Sequence, residues 1–171
     1  MKKILIFNFS VFTLLILFGI TSCKKDEIDV EKPVIQIVAP KDHAVLKIGD
    51  EHGVRLDMLL TDNEALSSYK INIHGNFEGH NHAPKQRFKA PAENDSVQFE
   101  FTKVWTDISG QKSATIHHHD ILIPKEQNGK PIKAGPYHFM VYCLDKAGNE
   151  SYTAVDVILS NTDSEEHNHT H

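Results

Sequence analysis

The sequence is poor in cysteine, in positive charge and in helical patterning. Only Cys23 and Cys143 stand in 171 residues. A framework of several disulfides is therefore excluded, and a folded domain must hold by packing. There is no basic excess: 18 Lys and Arg face 23 Asp and Glu, for a formal charge of −5 at pH 7. No basic stripe offsets that balance, so no nucleic acid is expected as a partner. No segment repeats its apolar residues at the helical period of about 3.6. Neither an H-E-x-x-H run nor a nucleophile motif is present, so the expectation is that the protein is not an enzyme. What the chain does have is histidine, 12 in all.

Residues 1–22 read as an export address. Lys2 and Lys3 form a charged start, residues 4–20 are almost wholly apolar, and small residues follow. The run is too short and one-sided for a spanning helix. Ile20-Thr21-Ser22-Cys23 resembles a bacterial lipobox with Cys23 as the first mature residue. The resemblance implies a diacylglyceryl thioether on Cys23 and an acylated amine, and several acyl chains together give stable membrane anchoring. No aspartate directly follows Cys23, and Lys24-Lys25-Asp26-Glu27 resembles the short charged tag that sends some Gram-negative lipoproteins to the outer face of the outer membrane. The expected location is the outer membrane, lipid-anchored, on its periplasmic or its surface-exposed side. Residues 1–22 hold two lysines and no acid, so the processed chain of 149 residues carries −7. That length suits one domain plus tails. The expected organisation is a signal peptide over 1–22, a lipidated tether over 23–32, a folded domain over 33–160 and a disordered His-containing tail over 161–171. With lipid on Cys23, Cys143 is alone and no intrachain disulfide forms.

The folded part alternates apolar and polar residues with period two. Strands are expected at 34–38, 45–48, 54–60, 69–74, 97–105, 116–123, 137–144 and 152–159, parted by turn signals. The pattern predicts an all-β antiparallel sandwich or barrel. Residues 33–40 between two prolines, Asp62-Asn63-Glu64-Ala65-Leu66, and residues 137–151 with their Asp-x-x-Gly-Asn turn resemble the immunoglobulin-like modules of bacterial surface proteins. Taken whole, the chain resembles a family of uncharacterised Gram-negative bacterial lipoproteins with a histidine-bearing sandwich domain. The resemblance implies an immunoglobulin-like antiparallel β-sandwich behind a lipoprotein signal peptide, and it carries no activity. Two antibody hallmarks are missing: there is no inter-sheet cysteine pair, and Trp105 lies outside the third strand.

His74-Gly75-Asn76-Phe77-Glu78-Gly79-His80-Asn81-His82 places three imidazoles in nine residues. Neutral imidazole is the commonest protein ligand for zinc and copper near neutral pH. Strand parity turns Tyr69, Ile71 and Ile73 toward the core and Lys70, Asn72 and His74 outward. It likewise turns Tyr137, Phe139, Val141 and Cys143 inward and His138 outward. In an immunoglobulin-like sandwich these two strands are antiparallel neighbours, which brings His74 and His138 to one sheet end. Cross-strand Cβ atoms about 4.5–5.5 Å apart suit two imidazoles on one ion. The loop from Gly75 can return and deliver His80 and His82. The expected metal ligands are His74, His80, His82 and His138, with zinc or copper as the ion. A solvated surface also displays outward histidines; shared parity, shared sheet end and the H-x-H pair favour a site.

Other clusters weigh less. In Ile116-His117-His118-His119-Asp120, inward Ile121 and Ile123 would turn His117 and His119 inward too, unless a bulge resets the register. A second site, an acidic partner and local hydrogen bonding are the alternatives there. His167, His169 and His171 form a loose metal-scavenging tract. Asp62, Asp145 and Asn149 suggest calcium, but Asx side chains and Gly148 serve their turns directly, which is the stronger reading. Cys143 is a core thiol by parity. The expected role is metal capture or buffering. The alternative is a surface adhesin or accessory interaction module without a metal, with an outer-membrane receptor or other surface protein as partner. A zinc hydrolase using Glu78 or Glu93 as base ranks last.

Overall fold

The computed structural model describes residues 28–77 and 96–162. The signal peptide, Cys23, the loop with His80 and His82, and residues 163–171 lie outside the described residues.

Among the described residues there is no helix. The strands in chain order are β1 (Val34–Ala39), β2 (Ala44–Lys47), β3 (Val54–Thr61), β4 (Leu66–Gly75), β5 (Phe101–Trp105), β6 (Ser113–Ile121), β7 (Glu126–Gln127), β8 (Lys130–Pro131), β9 (Gly135–Asp145) and β10 (Glu150–Ser160). They form a three-stranded sheet, β1-β3-β6, and a five-stranded sheet, β2-β10-β9-β4-β5. The β7–β8 hairpin stands apart. Strand pairs are antiparallel except β2 with β10, which run parallel. The first two strands are thus divided between the two sheets. This is the β-sandwich that the period-two pattern predicts.

Alternation builds the core. Tyr69, Ile71 and Ile73 on β4 and Tyr137, Phe139, Val141 and Cys143 on β9 are buried. They pack with buried Leu56, Met58 and Leu60 of β3 and Ile116 and Ile121 of β6. Each large apolar side chain fully buried contributes about 1.5–3 kcal/mol. The buried Tyr137 hydroxyl is satisfied twice: it donates to the Lys133 carbonyl at 2.7 Å and accepts the Phe99 N–H at 3.0 Å. A tyrosine at the start of a strand, bonded to backbone just upstream, is the tyrosine corner of immunoglobulin-like sandwiches. Trp105 sits on β5 and stacks on Tyr69, ring centroids 4.9 Å apart.

Besides the parallel β2–β10 pair and the start of β4 at Leu66, three features depart from the sequence expectation. Strand β5 begins at Phe101, while Val97 makes only an isolated bridge to Ile132. A hairpin forms around Asn128 and Gly129, both at positive φ, between β7 and β8. On β6 the register slips between the Val54–Ile121 and Leu56–His118 pairs. The slip is a bulge, and Gly53 is required beside it: its φ is +77°, and a Cβ there would lie 2.1 Å from the His119 carbonyl oxygen. The bulge lets Ala114, Ile116 and Ile121 all be buried while His117 and His119 stay exposed. Unbroken parity would have turned those two histidines inward.

Candidate metal centre

His74 on β4 lies directly opposite His138 on β9, and His138 lies opposite Asp156 on β10. Both histidines have the outward parity of their strands and are part-buried. Their ring centroids are 5.5 Å apart with planes at 64°. One step before β5, Glu100 continues this row on the other flank, since Ile73 pairs with Phe101.

The hydrogen bonds fix which nitrogen each ring offers. His74 Nδ1 lies 2.7 Å from Asn72 Oδ1. The orientation of that amide is set independently: Asn72 Nδ2 donates to Thr102 Oγ1 at 2.8 Å and to the Phe101 carbonyl at 3.3 Å. His138 Nδ1 lies 2.7 Å from Asp156 Oδ1. Facing acceptors, both Nδ1 atoms carry hydrogen, so Nε2 is the nitrogen through which either ring could ligate. A histidine whose second nitrogen donates to a carboxylate or amide oxygen is the usual form of a metal ligand. Burial, and then the neighbouring His138, push the His74 pKa below its ordinary value, with Glu100 opposing. His74 is therefore a neutral ring near pH 7.

Two of the three β6 histidines are otherwise engaged. His117 Nδ1 contacts Asp57 Oδ1, and Asp57 also pairs with Arg55 at 2.5 Å. The His117 hydrogen bond, ahead of those to Arg55, holds the Asp57 carboxyl below its ordinary range. His118 Nδ1 accepts the Asp120 N–H at 3.3 Å, so its Nε2 carries hydrogen toward the Tyr69 hydroxyl at 3.1 Å. That ring also stacks on Trp105 at 5.1 Å. Burial lowers the His118 pKa, so it is a neutral, satisfied histidine between the sheets. His119 is exposed near His117. Cys143 is free and buried, and burial, aided by Asp62 and Asp145, pushes its thiol up to about 12. It is a core thiol facing away from His138.

Of the sequence-predicted ligands, His74 and His138 come together; His80 and His82 lie outside the described residues. Sequence reasoning missed Asp156, Asn72 and Glu100. Outward parity was available for Asp156 between Val155 and Val157, but its partner is evident only once β9 and β10 are in register.

Residues 21–160 match the family model described as Domain of unknown function (DUF4625). The chain belongs to this family. No curated protein matches it. The DUF4625 match spans every described strand, so the His74–His138–Asp156 row lies within the family's own extent.

Proposed function

We propose that this DUF4625 protein is a lipid-anchored outer-membrane lipoprotein that binds a divalent transition metal, zinc or copper, for capture or buffering. His74 and His138 are the ligands at the sheet surface, and His80 and His82 complete the set from the following loop. The observation that carries this reading is the direct register of His74 with His138, each Nδ1 held by an oxygen acceptor, which leaves Nε2 as the ligating nitrogen of each ring. Two imidazoles presented this way suit borderline metals such as zinc and copper. Bound metal would be held, with no chemistry required of it. The lipoprotein part rests on the apolar run and on Ile20-Thr21-Ser22-Cys23.

Isothermal titration with zinc and with copper tests the site. It compares the chain lacking residues 164–171 with the same chain carrying His74→Ala and His138→Ala. The expected result is tight binding in the first and none in the second. Equal tight affinity in both would sink the site and move attention to His117 and His119. Metal-free protein from an untagged purification, with no tight titration, would favour the interaction module instead.

A further inference from the structure

A second group of side chains converges at the other end of the sandwich. His138 lies near the start of β9 and Asp145 ends it, so the two places are roughly 20 Å apart at the rise of an extended strand. One carboxylate oxygen each from Asp29, Asp62 and Asp145 lie within 4.8 Å of one another.

Turn building explains part of this. Asp62 Oδ1 accepts the N–H groups of Glu64 at 3.0 Å and Ala65 at 2.7 Å. Asp145 Oδ1 accepts those of Gly148 at 2.6 Å and Asn149 at 2.8 Å, and its Oδ2 accepts Asn149 Nδ2 at 2.7 Å. Asp29 Oδ1 accepts the Glu31 N–H and Asn63 Nδ2, both at 3.0 Å, and its carbonyl accepts Asn149 Nδ2 at 3.2 Å.

Turns do not explain the remaining oxygens. Asp29 Oδ2 and Asp62 Oδ2 each expose less than 1 Å² and have no hydrogen-bond partner. Asp62 is part-exposed as a residue, but its carboxylate is buried at the cluster. Asp145 is only 2% exposed. Among the described residues none of the three forms an ion pair. Buried carboxylate oxygens without a donor or a countercharge are costly, and three acids in mutual reach compound the cost. A cation among them supplies the countercharge. Hard, all-oxygen donors select calcium over zinc or copper, and carboxylates from separate segments suit its adaptable coordination.

We propose that Asp29, Asp62 and Asp145 bind a calcium-class cation that fastens the segment behind the lipid anchor onto the sandwich. This site is independent of the histidine pair. The test is calcium titration of the full-length lipoprotein in detergent after chelator stripping, read by calorimetry and thermal unfolding. The comparison is among wild type, Asp29→Asn and the double variant His74→Ala/His138→Ala. Wild type should show one saturable calcium site, in or below the range of about 10⁻⁴–10⁻³ M of extracellular modules. Its unfolding temperature should rise with calcium. The double variant should bind equally. Asp29→Asn keeps the oxygen that accepts Glu31 and Asn63, so it should unfold at the wild-type temperature without calcium while binding calcium at least about tenfold more weakly. Calcium should also slow proteolysis between residues 24 and 32 in wild type and in the double variant, and not in Asp29→Asn. No saturable calcium binding by folded wild type, binding of magnesium alone, or unchanged binding by Asp29→Asn would overturn the proposal.

Discussion

The Nδ1 atoms of His74 and His138 set the chemistry of the pair, because a ring whose Nδ1 donates can ligate only through Nε2. Ligation requires a neutral ring, so affinity for zinc should fall as pH drops below about 6.5, the ordinary histidine value. His74 should stay neutral to a lower pH than an ordinary histidine, since burial depresses its pKa. The same shift affects stability. His74 and His118 both titrate below the unfolded value, so below about 6.5 the unfolded chain binds more protons than the native one. Metal-free protein should therefore be fully stabilised by these rings above that pH and lose the contribution on acidification toward their depressed values. Thermal unfolding from pH 7.5 to 5, with and without zinc, checks both effects. Tyr137 offers a second residue-scale test. Tyr137→Phe removes the hydroxyl from the Lys133 carbonyl and strands the buried Phe99 N–H, at an expected cost of about 1–3 kcal/mol by urea unfolding. Strand parity in the sequence turns His74 and His138 outward, and the resemblance to an immunoglobulin-like sandwich brings them to one sheet end; the direct pairing is evident only in the assembled sheet. Parity could not specify the ring nitrogens, because Asn72 and Asp156 become partners only through hydrogen bonding across the assembled sheet.

At the scale of the element, β4 and β9 were legible because Tyr69, Ile71 and Ile73 on one strand and Tyr137, Phe139, Val141 and Cys143 on the other alternate with polar or outward residues without interruption. Strand β6 was legible only conditionally. Its isoleucines at 116 and 121 are an odd number of residues apart, so both can be buried only across a bulge. Gly53 is the permissive residue beside that bulge. Gly53→Ala should destabilise the fold by about 1–3 kcal/mol, since the alanine would face both a left-handed backbone and the His119 carbonyl. If its unfolding midpoint matches wild type, the packing around the bulge has been misjudged. The β7–β8 hairpin turns on Asn128-Gly129, but no strand is expected there from the sequence, because its flanks are too short and polar to read as strands. Nor could the start of β5 be read, because Val97 through Glu100 alternate as a strand yet Val97 bridges to Ile132 instead.

At the scale of the whole molecule, the proposed lipid anchor is tested at Cys23. If Cys23 carries lipid, Cys23→Ala should move the protein from the membrane to the soluble fraction, as followed by immunoblotting. An unchanged membrane fraction would remove the anchor from the account. The fold also sets how an anchored protein responds when something bound to its distal side is pulled. Tension then enters near β1 and β2 and leaves after β10. Because β2 and β10 run parallel through four residue pairs, opposite pulls slide one along the other. The bonds from His43 N–H to the Asp156 carbonyl at 2.6 Å and from Ile48 N–H to the Ser160 carbonyl at 2.7 Å bracket that seam. Such bonds share a load and break together, whereas antiparallel strands pulled apart from one end would unzip singly. The sandwich should thus resist stretching between its two ends more strongly than peeling across its sheets. Single-molecule pulling from residues 33 and 160, against pulling from 33 and 110, would reveal a higher rupture force in the first geometry.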